Sequence, residues 1–100
     1  MTDDPKITIR LEDGETKGRW VATVEGVAGE GEMTFSRMSP RSIIVDHTGV
    51  PDAMAGMGVA KALYRNLVAE AREKGFKFVP LCPYVKAQLE KHPEDRDVVL

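Results

Sequence analysis

The chain has 100 residues, with 14 Lys or Arg against 16 Asp or Glu, a net charge of −2 that argues against a nucleic-acid partner. No apolar run approaches the ~20 residues that span a bilayer, so no membrane partner is expected either. With 42% hydrophobic and 30% charged residues the composition is globular rather than disordered, and the length suits one domain, residues 1–100, around one small core. The opening Met1-Thr2-Asp3-Asp4-Pro5 is acidic and polar, unlike a secretory signal. Cys82 is the single cysteine and cannot close an internal disulfide, so a cytoplasmic, reducing setting is expected.

Ile7, Ile9 and Leu11 alternate with Thr8 and Arg10, the period of a strand with one buried face. Asp13-Gly14 lies at a turn before a second strand, Arg19 to Glu25, with Trp20, Ala22 and Val24 on one side. Gly26 to Glu30 reads as the next turn, and Met33 and Phe35 anchor a third strand that ends near Met38. Ser39-Pro40-Arg41 makes the corner into a fourth strand, Ser42 to Asp46. Short turns between four strands predict an antiparallel meander.

Val59, Leu63, Leu67 and Ala71 recur every four residues and predict a helix from about Gly58 to Lys74, stopped by Gly75. Phe76 to Leu81 reads as a fifth strand, parallel to the fourth because a crossover helix joins them. Pro80 has no N–H to give a ladder, which marks either an edge strand or one that diverges from its neighbour. A short helix, Tyr84 to Lys91, follows and ends at His92-Pro93, leaving Glu94 to Leu100 as a tail that either packs loosely or extends the helical region.

The stretch with most chemical content is Ser42 to Lys61. A β-branched strand runs into Asp46-His47-Thr48, and a Gly/Pro-containing bridge leads to Gly56-Met57-Gly58 at a helix start. A strand, a glycine loop and a helix N-terminus together present backbone N–H groups to a phosphate. No Ser, Thr, Asp or Asn immediately precedes the helix to cap those groups. An external anion or simple hydration of a glycine cap both answer to this pattern. The glycines match neither a dinucleotide fingerprint, whose third glycine position holds Lys61, nor a P-loop.

His47 suits proton transfer near neutral pH. Cys82, just past the neighbouring strand, would emerge at the same sheet edge, where a histidine favours the thiolate. Against this stand a histidine satisfied by backbone and a cysteine that merely fills the core. Two histidines and one cysteine fall short of the ~4 clustered ligands zinc takes, so no metal is expected.

Val50-Pro51-Asp52-Ala53-Met54-Ala55-Gly56-Met57-Gly58-Val59-Ala60-Lys61-Ala62-Leu63 resembles the acyl-CoA-binding segment of the GNAT superfamily of N-acyltransferases. His47-Thr48-Gly49-Val50-Pro51 with Pro80-Leu81-Cys82-Pro83-Tyr84-Val85 narrows the resemblance to its small single-domain members, and Lys91-His92-Pro93-Glu94 fits them too. The resemblance implies a minimal GNAT fold of the α/β (α+β) class. Its mixed, mostly antiparallel sheet has five strands, the fourth and fifth splayed, a crossover helix between them and a short C-terminal helix. It further implies transfer of an acetyl group from acetyl-CoA to an unidentified amine.

On that resemblance the acyl donor meets Val45, Asp46, His47, Thr48 and Val50 along its pantetheine arm. Its diphosphate meets Met54, Ala55, Gly56, Met57, Gly58, Val59, Ala60 and Lys61, and Tyr84 lies beside it. His47 and Cys82 are the implied catalytic pair, by direct attack with His47 as base or through an acyl-Cys82. Ala53, Ala55 and Met57 stand where the superfamily often has Gln or basic residues, which removes cationic help but leaves the backbone cradle. The two helices that larger members insert after the first strand have no room here, so the acceptor side should be open and suit a protein or other bulky amine. The competing reading is a non-catalytic acyl-CoA-binding or protein-interaction module.

Overall fold

A computed structural model describes residues 5–100; Met1 to Asp4, read above as part of an acidic start, lie outside the described residues. Five strands form one sheet in the order of the chain: β1 (Ile7–Glu12), β2 (Lys17–Val24), β3 (Val27–Ser39), β4 (Ser42–Gly49) and β5 (Lys77–Pro80). The first four pair antiparallel, and β5 lies parallel to β4. Helix α1 (Val59–Lys74) makes the crossover, α2 (Pro83–Lys91) follows β5, and 3₁₀ turns cover Asp52–Met54 and Pro93–Val98. Among the described residues no helix is long and apolar enough to cross a membrane.

The inward side chains of β2, β3 and β4 meet one stripe of α1. Trp20, Ala22, Val24, Met33, Phe35, Ile43 and Val45 pack in one cluster with Val59, Leu63, Leu67, Val68 and Ala71. Full burial of a side chain such as Leu63 or Phe78 contributes about 1.5–3 kcal/mol each. Trp20 sits tilted against Phe35, ring centroids 4.8 Å apart, and donates its indole N–H to Glu70 Oε2 at 2.7 Å. That carboxylate also accepts from Asn66 and Lys74, tying β2 to the last turns of α1.

Two segments depart from the expectations above. The third strand starts earlier, at Val27, because Glu25-Gly26 alone turns the chain with Gly26 at φ 80°. Ala28 to Glu30 then stand opposite Thr23, with Gly29 at φ 97°, so the glycine-rich stretch is a bulged strand instead of a loop. The fourth strand continues past Asp46 to Gly49, held by pairing with β3. The tail, expected either to pack loosely or to extend the helical region, takes the second form: Pro93–Val98 is a 3₁₀ turn, Val98 is buried, Phe78 bridges Val99, and Arg72 binds Asp95 and Asp97.

β4 and β5 part where Pro80 had suggested. Pro80 is the last paired residue, opposite Val45, after which the N–H groups of Leu81 and Cys82 both donate to the Val45 carbonyl. β4 runs on for four residues, Asp46 to Gly49, with β3 on one side and no β5 partner on the other. Gly31 brings the start of α1 down onto the sheet here, since an added Cβ would stand 2.9 Å from Val59 Cγ1.

Candidate acyl-donor site

The chain between β4 and α1 is fastened from below and left open above. Met54, in the 3₁₀ turn, is buried and anchors the bridge to the core. Its own N–H donates to Pro51 O at 2.9 Å, that of Ala55 to Asp52 O at 3.0 Å and that of Met57 to Met54 O at 3.2 Å. These three amides are therefore consumed by the bridge itself, which corrects the expectation that every N–H from Met54 to Ala60 faces a ligand. The first intrahelical bond of α1 runs from Ala62 N–H to Gly58 O. Among the described residues, no backbone or side-chain acceptor meets the N–H groups of Gly56, Gly58, Val59, Ala60 or Lys61.

Four of those five amides, Gly58 to Lys61, are the cap and first turn of α1, whose N–H groups point out along the helix axis. Gly56 has φ 77° and Gly58 φ 78°, while Met57 between them has a negative φ. Alternation of left-handed and ordinary conformations is the backbone pattern of an anion nest, although the Met57 N–H within it is turned to Met54 O. The positive end of the α1 dipole adds to it. Only glycine adopts such φ values routinely, which is the local reason for both glycines.

A groove of about 290 Å³ lies over this nest, walled by Val50, Met54, Ala55, Val59, Ala60, Lys61 and Tyr84. Among the described residues, Lys61 is the basic one in its lining. Tyr84 holds its hydroxyl 3.2 Å from Gln88 Nε2, and burial raises its pKa, against a smaller lowering by that hydrogen bond. The phenol stays protonated through neutral pH. Open amides, left-handed glycines, one lysine and apolar walls fit a ligand with a diphosphate head and a narrow, weakly polar arm.

Beyond Pro80 the β4 edge without a β5 partner carries the remaining site residues. Register sets Val45 opposite Phe35 and His47 opposite Thr34, so Asp46 is an extra residue, a β-bulge. Asp46 and His47 are both exposed, whereas Thr48, paired with buried Met33, turns inward. Thr48 Oγ1 accepts from Cys82 Sγ at 3.3 Å, and Cys82 is buried. His47 lies over Gly49 on the outward face, where a Cβ on Gly49 would stand 2.9 Å from His47 Nε2. The structure thus brings Cys82 to Thr48 and leaves His47 on the other face of the sheet, against the expectation of an adjacent pair. Unbulged alternation would have aligned His47 with Ile43 and Val45, facing inward.

Asp46 Oδ2 accepts from Ser36 Oγ at 2.8 Å on that outward face. Ser36 and Gly31 were not singled out in the sequence, because each acts only through a strand brought beside it. His92 lies far along the chain fold, stacked 6.1 Å from the Tyr64 ring and 3.3 Å from Glu94. His92, Glu94 and Asp95 offer ligand atoms within 4.8 Å of one another. Asp95, however, is already bound by Arg72 and by the Tyr64 hydroxyl at 2.7 Å, so a cation there would displace existing partners.

A family model described as GCN5-related N-acetyl-transferase matches residues 19–98. Protein NATD1 of Xenopus tropicalis is 24% identical over 90% of this chain and 83% of its own length. The human NATD1 is 25% identical over 85% of this chain and 75% of its own. A GCN5-like protein from Staphylococcus aureus, solved by NMR, superposes with a TM-score of 0.65 at 33% identity, covering 91% of this chain and 87% of that one.

Proposed function

Because the chain belongs to the GCN5-related N-acetyltransferase family, we propose that it moves an acetyl group from acetyl-CoA to an amine. The observation that carries this reading is the set of five amides at Gly56, Gly58, Val59, Ala60 and Lys61, without a partner among the described residues, below a groove bordered by Val50, the residue after β4. The diphosphate sits on those amides with Lys61 at its flank, and the pantetheine arm follows Val45 to Val50 past the end of β5. A bound thioester supplies the activated acetyl group.

The residues around the slot divide the remaining work. Backbone N–H groups of the unpartnered β4 segment polarise the reacting carbonyl. His47 receives the proton that the amine must shed. The Tyr84 phenol, protonated at neutral pH, lies on the groove wall and returns a proton to the departing thiolate. Burial of Cys82 against Thr48 favours direct attack over an acyl-Cys82 intermediate.

Calorimetric titration with acetyl-CoA, CoA and dephospho-CoA tests the donor site, and an amine panel with a free-thiol readout tests transfer. Binding of acetyl-CoA with release of CoA thiol in the presence of amine is the expected result. CoA binding without transfer to any amine would instead identify a binding module. Intact-mass analysis after incubation with acetyl-CoA decides the route: an adduct lost in Cys82→Ser establishes the covalent path, and its absence under turnover the direct one.

A further inference from the structure

A cavity of about 170 Å³ lies at the end of the sheet away from the amide nest. It is framed by the β1–β2 turn, the β3–β4 corner and the last turns of α1, whereas the nest lies at that helix's first turn. Sixteen residues of helix put about 24 Å between the two. Trp20, Phe35 and Ile43 border the cavity as buried apolar groups. Leu11 and Phe76 carry that wall out to solvent, where Leu11 is 37% exposed. An engineered cavity of about 150 Å³ lined by such side chains holds benzene. The space here therefore takes one six-membered ring with a short arm.

Two ion pairs also border the cavity, Arg37 with Asp13 and Lys74 with Glu70. Their hydrogen-bonding capacity is spent unevenly. Glu70 accepts from Lys74 through Oε1 at 2.6 Å, and from Trp20 and Asn66 through Oε2 at 2.7 and 2.9 Å. Lys74, with three N–H groups, donates among the described residues to Glu70 alone. Arg37, with five, gives Nε to Gly14 O at 3.1 Å and one terminal nitrogen to Asp13 Oδ1. Its Cζ stands 5.5 Å from the Phe35 ring centroid, which holds the guanidinium against the aromatic wall. Both cations thus keep donors in reserve, while Asp13 Oδ2 is the main carboxylate oxygen left without a partner among the described residues.

We infer that this cavity is a binding site for a small aryl carboxylate, its ring against Trp20 and Phe35 and its carboxylate on Arg37 and Lys74. The inference stands apart from the acetyltransferase reading and does not depend on it. A carboxylate accepts the N–H groups that both cations hold in reserve, and such charge-assisted bonds are the stronger class. The ring replaces water over the apolar wall at no cost in buried polar groups. An arylalkyl ammonium of the same size meets two cations and a single open oxygen. A neutral aryl alcohol gains the wall contacts without the charge.

The test titrates phenylacetate, phenethylamine and phenylethanol separately into ¹⁵N-labelled protein at neutral pH, where the first is an anion and the second a cation. Trp20 is the one tryptophan, so its indole N–H, donated to Glu70 beside the cavity, gives one reporter resonance. Phenylacetate at millimolar concentration should move that resonance and bind about tenfold more tightly than phenethylamine, with the alcohol between them. Arg37→Gln and Lys74→Gln should each weaken phenylacetate about five- to tenfold, and Arg37→Lys should recover part of the loss. Asp13→Asn should tighten it, since a competing carboxylate is gone. The remaining amide resonances report in every variant whether the fold is kept. A Trp20 resonance that stays fixed overturns the inference. So does phenethylamine binding as tightly as phenylacetate, or phenylacetate affinity unchanged in both Arg37→Gln and Lys74→Gln. Acetyl-CoA in the same samples should move the amides of Gly58 to Lys61 and leave the Trp20 indole in place, so the two sites stand or fall separately.

Discussion

Replacing Gly58 by Ala probes the amide nest with the fewest side effects. Gly58 caps α1 at φ 78° and ψ 19°, and an added Cβ there meets no atom within 4 Å. The cost is therefore conformational: the left-handed region disfavours an L side chain by about 1–2 kcal/mol. Alanine also stiffens the unfolded chain, returning about 0.4–1 kcal/mol. The net loss of stability should be about 0–1.6 kcal/mol, readable by urea denaturation from the fluorescence of Trp20, the one tryptophan. If the residue instead leaves the left-handed region, the N–H groups of Gly58 and Val59 turn away from their neighbours, and the affinity for CoA should fall about five- to tenfold, ~1–1.4 kcal/mol. Gly58→Asn, which tolerates left-handed φ, should recover much of both losses. Pantetheine has no diphosphate, so its weaker binding should not change. Unaltered CoA affinity in Gly58→Ala at the expected stability loss, or an equal loss for pantetheine, would refute the nest as the diphosphate site.

Glu70→Leu removes the acceptor of a buried indole N–H and should cost about 1–3 kcal/mol by the same urea assay, whereas Glu70→Gln, which keeps an acceptor, should cost less. The Glu70 carboxyl feels burial as the largest influence, pushing its pKa up, but hydrogen bonds from Lys74, Asn66 and Trp20 together outweigh it and leave the pKa below the usual carboxylate value. Its folded value thus lies under its unfolded one, so its contribution is full above the unfolded pKa of ~4.3 and is lost as pH falls through the folded value. Stability curves of wild type and Glu70→Gln should converge as pH drops through that range, and parallel curves would contradict the assignment. The buried Cys82 thiol should react with an aromatic disulfide reagent far more slowly in native protein than in urea, and prompt native reaction would show the β4–β5 slot to be open down to Thr48.

Local chemistry was enough for most of the architecture. The four-residue recurrence from Val59 to Ala71 and the stop at Gly75 correspond to α1 and its left-handed cap at φ 77°. The alternation of Ile7 to Leu11 and Trp20 to Val24 corresponds to β1 and β2. Pro80, whose missing N–H marked either an edge strand or a divergence from β4, is the last residue of β5. The glycines at 56 and 58 both take left-handed φ, which few other residues adopt, at the helix start the sequence had marked.

What the sequence determined by itself was whatever depends on neighbours within a turn or a strand: element type, order, the parallel crossover and the glycine loop at the helix start. Tertiary structure alone decided which way His47 faces. The residue inserted at Asp46 is visible only as a mismatch between β3 and β4, two strands whose register is set by pairing and by the core beneath them. One extra residue reverses every later side chain, so Thr48 takes the inward place beside Cys82 and His47 goes outward with Asp46. A period counted along one strand cannot register a slip that exists only between two.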